Sequence, residues 1–79
     1  MKSDQRLDIT GEVIPFSLAL CKSALAKMDP GAVLEICLGD AETLEDLLLI
    51  VARSGDQVLA WERRGEKCSL WVQKRPEPQ

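Results

Sequence analysis

The feature that most restricts the fold of this chain is an alternation of strand-like and helix-like patterns in its apolar residues. Helix-like stretches occur twice, and each one follows a short strand-like run and ends at a turn signal. A strand that returns through a helix runs parallel to the strand before it, and such crossovers are right-handed. The pattern therefore predicts a sheet with both helices packed on the same face.

The first strand and the first helix are both short and have clear ends. Leu7 and Ile9 alternate with polar residues, and Gly11 ends this strand. Pro15 suits the first position of a helix, because the N–H group that proline lacks would have no partner there. The Asp-Pro-Gly run at residues 29–31 stops the helix, since proline cannot continue it. Between these limits the apolar residues recur every three or four positions, at Leu18, Cys21, Leu25 and Met28.

The second strand and the second helix follow the same scheme. From Ala32 to Leu38 aliphatic residues alternate with others, which predicts a strand that is covered on one face only. Either Asp40 or Thr43 can cap the helix that follows, and acidic residues in its first turn suit the helix dipole. Gly55 ends this helix. Its apolar stripe consists of Leu44, Leu47, Leu48 and Val51.

The last part of the chain has the pattern of a β-hairpin. Residues 57–62 and 67–74 are strand-like and flank the turn sequence Arg63-Arg64-Gly65-Glu66. The order of elements is thus β-α-β-α-β-β. We predict an α+β fold, a two-layer α/β sandwich with a four-stranded mixed sheet and two helices on one face. Residues 1–74 should form a single domain, and residues 75–79 should form a disordered C-terminal tail.

Composition excludes several classes of site. The 79 residues include no histidine, so a zinc site or a Cys/His or Ser/His catalytic pair has no basis, and we expect no metal and no cofactor. Cys21, Cys37 and Cys68 are too far apart for a CxxC motif and too few for a disulfide framework. No apolar run approaches the length of a membrane span, which is about 20 residues, and no secretory signal is visible, so we expect a cytoplasmic protein.

The charge pattern bears on the partners. Residues 1–50 carry nine acidic and four basic residues, within a chain whose net charge is −3. Nucleic-acid-binding domains usually show a positive footprint, so this pattern argues against nucleic acid as the partner.

Two short motifs connect the chain with a known family. They read Leu7-Asp8-x-x-Gly11-x-x-Ile14-Pro15 and Met28-x-x-Gly31-x-x-Leu34. This pattern resembles the TusA/SirA family of small sulfur-carrier proteins, whose signature begins Leu-Asp-x-x-Gly-x-x-Cys-Pro-x-Pro and whose cysteine carries a persulfide. The resemblance runs from Leu7 to Lys74 and implies the same α/β sandwich.

The departures from the family pattern fall on its functional part. Ile14 stands where the family has its cysteine, Ser17 replaces the second proline of Cys-Pro-x-Pro, and Leu48 replaces a proline farther along. The resemblance implies that family members hold a thiolate at a helix N-terminus, where the helix dipole stabilises negative charge. Ile14-Pro15 keeps that position but has no sulfur. Ile14 could instead dock a partner, or it could pack under the helix start as an apolar staple.

Loss of the cysteine shapes the predicted function. We interpret the chain as a non-catalytic protein that binds or modulates a partner in a sulfur-transfer or redox context, and whether it is an enzyme stays open. An alternative is sulfur relay through another thiol. Cys68 lies beside Lys67 and near the hairpin arginines, and Cys37 should lie on the sheet face that the helices leave uncovered. Cys21 belongs to a helix stripe, where we expect burial and a raised pKa.

The tryptophans suggest an interaction surface. If Val58, Ala60, Leu70 and Val72 face the helices, then Leu59, Trp61 and Trp71 lie on the uncovered face and could bind a protein partner or a second copy of the chain. This register needs an odd-numbered loop around Gly65. A loop of two or four residues would place Trp61 and Trp71 on opposite faces. A third alternative for function is RNA binding by the same face, with the two indoles stacking on bases.

Overall fold

The computed structural model describes residues 2–12 and 16–76. Across these residues the chain forms, in order, β1 (Gln5–Asp8), α1 (Phe16–Ala26), β2 (Val33–Leu38), α2 (Ala41–Ser54), β3 (Gln57–Arg64) and β4 (Lys67–Gln73). The strands make one mixed sheet in the order β1-β2-β4-β3. β1 pairs parallel with β2, whereas β4 lies antiparallel between β2 and β3. The predicted fold class and element order are thus confirmed.

The core lies between the two helices and one face of the sheet. Alternation along β2 buries Leu34, Ile36 and Leu38, while the residues between them stay partly exposed. The side chains that pair beside them on β4 point the same way. This helix-covered face packs against buried residues of α1 and α2, namely Cys21, Leu25, Leu44, Leu47 and Val51. The other face of the sheet, the open face, carries among others Arg6, Glu35, Cys37, Lys67, Ser69 and Trp71.

Local signals set the limits of α2. Asp40 is its N-cap, because the carboxylate accepts hydrogen bonds from the backbone N–H of Thr43 at 2.6 Å and from the Thr43 hydroxyl at 3.0 Å. These bonds lower the pKa of Asp40. Gly55 ends the helix in the left-handed region, with φ at 85°. Of the two predicted caps, Asp40 is therefore the one that the structure uses.

The first helix and the C-terminal end of the chain differ slightly from the prediction. Pro15 lies outside the described residues, so its predicted place at the helix start is not tested. α1 ends at Ala26, before Met28, although Met28 is still buried. Arg75 falls in the predicted tail, yet its backbone N–H donates to Asp56 Oδ1 at 2.8 Å. Within the described ranges, no helix is long and apolar enough to cross a membrane.

The hairpin contains the main correction. Arg64 pairs with Lys67, which leaves Gly65 and Glu66 as a two-residue loop. Gly65 has a φ of 62°. A two-residue hairpin loop whose first residue is glycine requires such a positive value. A β-bulge between Val58 and Ala60 then shifts the register of β3 by one residue.

The two-residue loop separates the tryptophans. Trp61 pairs with Leu70, whose side chain is on the helix-covered face, whereas Trp71 pairs with Ala60 and with Glu35 on the open face. The prediction that Trp61 and Trp71 form one surface is therefore wrong, as is the prediction that Ala60 faces the helices. The cause is the two-residue loop, and the bulge at Leu59 then returns Val58 to the helix-covered face.

Candidate functional site

The position of the family cysteine follows the end of β1. Ile14 and Pro15 lie outside the described residues, so the predictions made for them stay untested. The residues on either side are described. Glu12 donates its backbone N–H to Ile9 at 3.0 Å, and Phe16 begins α1 with 54% of its surface exposed. A large apolar side chain is therefore open to solvent beside the segment.

The loop after β1 is held by local contacts. The backbone N–H of Thr10 donates to Asp8 Oδ1 at 2.9 Å, and the hydrogen bonds from Thr10 lower the pKa of Asp8. Gly39, in the loop after β2, lies so close that a Cβ there would stand 3.4 Å from Thr10 Cγ2. The loops after β1 and β2 therefore lie next to each other, before the segment that carries Ile14.

The first turn of α1 contains a buried hydroxyl. Ser17 is 1% exposed, and its Oγ finds no hydrogen-bond partner among the described residues. This serine occupies the place of the family's second proline. Sequence reasoning noted the replacement but did not predict the burial, because Ser17 lies one residue before the apolar stripe that marks the inner face of the helix.

Two of the three thiols belong to the core. Cys21 is 1% exposed, and burial raises its pKa to about 11, as predicted for a thiol on the helix stripe. Cys68 is 3% exposed, and its thiol donates to the carbonyl of Glu66 at 3.7 Å. Cys68 lies beside Lys67, but its burial disfavours the predicted reactive thiol, because its side chain shares the helix-covered face with Leu70, two residues along the same strand.

Cys37 has a different environment on the open face. It is half-buried, and the Arg6 guanidinium donates from Nε to its Sγ at 3.3 Å. The thiol in turn donates to Glu35 Oε2 at 3.9 Å, and Arg6 forms an ion pair with the same carboxylate at 3.8 Å. The hydrogen bond to Cys37 is the largest cause of the raised pKa of Arg6, and the negative charge of Glu35 also raises it. A cation in contact with sulfur is the kind of setting in which reactive cysteines occur.

Cys37 also borders a cavity. A hollow of about 270 Å³ runs along the open face, and Arg6, Asp8, Thr10 and Lys67 line it together with Cys37. A reagent could therefore approach the thiol from this side. Sequence reasoning placed Cys37 on the open face but missed Arg6, because the contact depends on the parallel register of β1 with β2, in which Arg6 lies beside Glu35.

Trp71 forms part of a second hollow on the open face. Its indole is 8% exposed, and Nε1 has no hydrogen-bond partner among the described residues. The hollow measures about 360 Å³ and shares Lys67 and Ser69 with the one beside Cys37. Its rim carries both charges, from Glu35, Glu62, Arg64 and Lys67. Trp71 is thus a packed part of this face and exposes little surface to a partner.

The other members of the predicted interface lie elsewhere. Trp61 is 52% exposed on the helix-covered side of β3, which is an edge strand, and Leu59 is 37% exposed at the bulge. The structure therefore does not bring the three residues together into one patch. In the described part of the chain, no group of three or more acidic or cysteine side chains is placed to hold a metal ion.

The setting of the thiols leads to a testable difference in stability. We expect Cys21→Ser and Cys68→Ser each to lower the free energy of unfolding by about 1–3 kcal/mol, because each puts a hydroxyl into an apolar core. Cys37→Ser should cost about 0.5 kcal/mol or less, because that side chain is partly in water. Urea unfolding followed by circular dichroism measures all three. Equal midpoints would show that the faces are wrongly placed.

The chain matches known proteins over nearly its whole length. A family model described as "Sulfurtransferase TusA" matches residues 5–74. A protein of Archaeoglobus fulgidus named "Putative sulfur carrier protein" is 32% identical over 76 residues, which cover 95% of this chain and 86% of that protein. A Bacillus subtilis protein named "Putative sulfur carrier protein YrkI" is 30% identical over 74 residues, or 94% of this chain and 99% of that protein.

Solved structures show the same architecture. The crystal structure of a SirA-like protein from Desulfitobacterium hafniense superposes with a TM-score of 0.78, at 19% identity, over 90% of this chain and 97% of that one. A Helicobacter pylori protein solved in solution gives a TM-score of 0.68 at 18% identity, over 89% of this chain and 96% of that one. At such identities the likeness concerns the fold.

Proposed function

The chain belongs to the TusA family, and on this premise we propose that it serves sulfur transfer as a protein-binding member that carries no sulfur at the family's cysteine position. The observation that carries the proposal is the isoleucine at residue 14. Its side chain has no nucleophile and no acceptor for sulfur. The chemistry that the resemblance implies for this position therefore has no atom on which to proceed.

The setting of the other thiols supports the same proposal. Cys21 and Cys68 lie in the core, with 1% and 3% of their surfaces exposed, so neither thiol offers an open surface to a sulfur donor. The raised pKa of Cys21, about 11, also keeps that thiol protonated near neutral pH. All three cysteines are free, which suits the reducing cytoplasm that we propose as the location.

The parts of the fold around the family site support a binding role. The loops after β1 and β2 lie next to each other at Gly39, and α1 begins with the exposed ring of Phe16. An exposed aromatic side chain of this kind is typical of protein contacts. We propose that the chain occupies the surface that a sulfur-bearing relative would use and so modulates or scaffolds its partner.

Sulfur relay through Cys37 is the second candidate, and one observation favours it. Arg6 contacts the Cys37 sulfur at 3.3 Å beside an accessible hollow. In such a relay the Cys37 thiolate would attack the outer sulfur of a persulfide on a donor protein. The new S–S bond would form as the donor's S–S bond breaks, and the donor would leave as a thiolate, so no external oxidant is needed. RNA binding by the open face has lost its basis in paired tryptophans, since the register separates them.

A sulfur-loading experiment tests the proposal. The chain is incubated with a cysteine desulfurase and cysteine, and its intact mass is measured without reductant. We expect no added sulfur on the natural sequence. The Ile14→Cys variant should gain one sulfur atom, because it restores the acceptor at the family's position. This variant is the positive control for contact with the donor.

The other outcomes are equally informative. Added sulfur on the natural sequence that disappears in Cys37→Ser would replace the binding proposal by the relay. If neither the natural chain nor Ile14→Cys gains sulfur, while an independent cysteine-bearing family member does, contact with the donor at this surface is disproved.

Occupancy of the carrier's surface is tested by competition. We expect an excess of this chain to slow the loading of a cysteine-bearing family member by the same desulfurase, because both would bind the donor. The Phe16→Glu variant should compete less well, since it removes the exposed apolar ring. Leu49→Glu, a change at an exposed residue of α2, is the matched control. Unchanged loading rates at all concentrations of the chain would contradict the proposal.

A further inference from the structure

A groove separates α1 and α2 near their C-terminal ends. Two adjoining hollows of about 190 and 290 Å³ form it, and both are lined by Lys22 of α1 and by Ile50 and Ser54 of α2. The groove lies at the end of the molecule where β1 and β2 begin, because β4 runs antiparallel to β2 and delivers Lys74 there. The family's cysteine position follows the opposite end of β1.

The charge around this groove is strongly one-sided. Lys22, Arg53, Lys74 and Arg75 line it, and the carboxylate among the described lining residues is that of Asp56. Asp56 is already engaged, since its oxygens accept from the Ser54 hydroxyl at 2.9 Å and from the Arg75 backbone at 2.8 Å. Within the described ranges, none of the four cations forms an ion pair. This concentration of positive charge occurs in a chain whose net charge is −3.

Helix stability accounts for only part of the cluster. Arg53 lies in the last turn of α2, where a cation favours the helix dipole. Arg75 donates to the carbonyl of Ser54 at 3.4 Å and so helps to cap the same helix. Lys22 lies in the middle of α1 and Lys74 follows a strand, so neither has such a role. These two lysines line the groove, and within the described ranges neither forms an ion pair.

The floor of the groove is apolar. Leu25, Ala26 and Ile50 line it beneath the cations. We propose that this groove is a docking site for an acidic peptide segment of a partner protein, with carboxylates paired to the lysines and an aliphatic side chain on the floor. The absence of aromatic residues from the described lining disfavours single-stranded nucleic acid, which needs rings on which bases stack. The lining of the groove does not include Glu12 or Phe16, the described residues that flank the family's cysteine position, and the proposal does not depend on the function proposed above.

Peptide binding in solution tests this proposal. The probe is a fluorescein-labelled peptide with three repeats of Glu-Glu-Leu, measured by fluorescence anisotropy against the full chain. We expect saturable binding that weakens as salt is added, because exposed charges are screened. The Lys22→Glu/Lys74→Glu variant should bind the peptide about tenfold more weakly, because it removes two exposed charge pairs and replaces them by repulsion. Replacing each leucine of the peptide by serine should also weaken binding.

A second double variant provides the matched control. Arg64→Glu/Lys67→Glu changes the net charge by the same amount on the open face, and circular dichroism verifies that both variants are folded. We expect this control to change the affinity by about twofold or less. Equal weakening by the two variants, or no binding of the acidic peptide, would disprove a specific site. Tighter binding of a nine-nucleotide oligouridylate or of vesicles with anionic lipid would replace the peptide by that ligand.

Discussion

Replacing Ile36 by alanine should unfold much of the protein at room temperature. Ile36 is 0% exposed and occupies the middle of β2, between Leu7 on β1 and Leu70 on β4. Truncating a buried isoleucine to alanine costs about 2–5 kcal/mol of stability, because apolar contacts are lost and a cavity remains. A domain of this size has about 3–5 kcal/mol of net stability in total. The single change should therefore consume most of it.

The comparison that makes this result specific uses another aliphatic residue. Leu49 lies on α2 and is 59% exposed, so Leu49→Ala should change the free energy of unfolding by about 0.5 kcal/mol or less. Urea titrations followed by circular dichroism give both values. Similar midpoints for the two variants would contradict the assignment of β2 to the centre of the core.

The elements of this fold that could be predicted are those with local signals. The Asp40 cap, the Gly55 stop and the alternation along β2 are each encoded within a few neighbouring residues, and the structure has all three. A β-bulge has no such signal here. Leu59 is an ordinary strand residue, and nothing beside it in the sequence indicates that two residues of β3 will oppose one of β4.

One extra residue in a strand reverses every side chain beyond it. This is why Val58 was placed correctly by alternation and Trp61 was not, although both belong to β3. For Cys68 the relevant information was present in the sequence, since it is two residues from Leu70 on the same strand. Its charged neighbours are close along the chain, but they do not decide the face on which the thiol lies.

The candidate site also has one part that the sequence predicts and another that it does not. The identity of residue 14 follows from the sequence and governs the chemistry, whereas the Arg6–Cys37 contact and the groove beside Lys22 depend on pairings between distant segments. Such contacts arise when β1 takes its register on β2 and when α1 and α2 pack side by side. A single sequence contains the residues but does not state which of them meet.

Trp71→Ala should destabilise the protein by about 3–5 kcal/mol, whereas Trp61→Ala should cost about 1 kcal/mol or less. The two indoles differ because Trp71 is 8% exposed between Glu35 and Ala60, while Trp61 is 52% exposed on an edge strand. Trp71→Phe should cost less than Trp71→Ala, because phenylalanine keeps most of the packing and removes the unpartnered Nε1–H. Urea unfolding of the three variants gives the ranking.

Fluorescence distinguishes the two faces without relying on stability. The Trp61→Phe variant leaves Trp71 as the single fluorophore, and we expect blue-shifted emission that acrylamide quenches weakly, as for a ring shielded from water. The Trp71→Phe variant leaves Trp61, whose emission should be red-shifted and readily quenched. Comparable quenching of the two variants in the folded state would mean that both indoles share one environment, and the pairing of β3 with β4 through a two-residue loop would then be wrong.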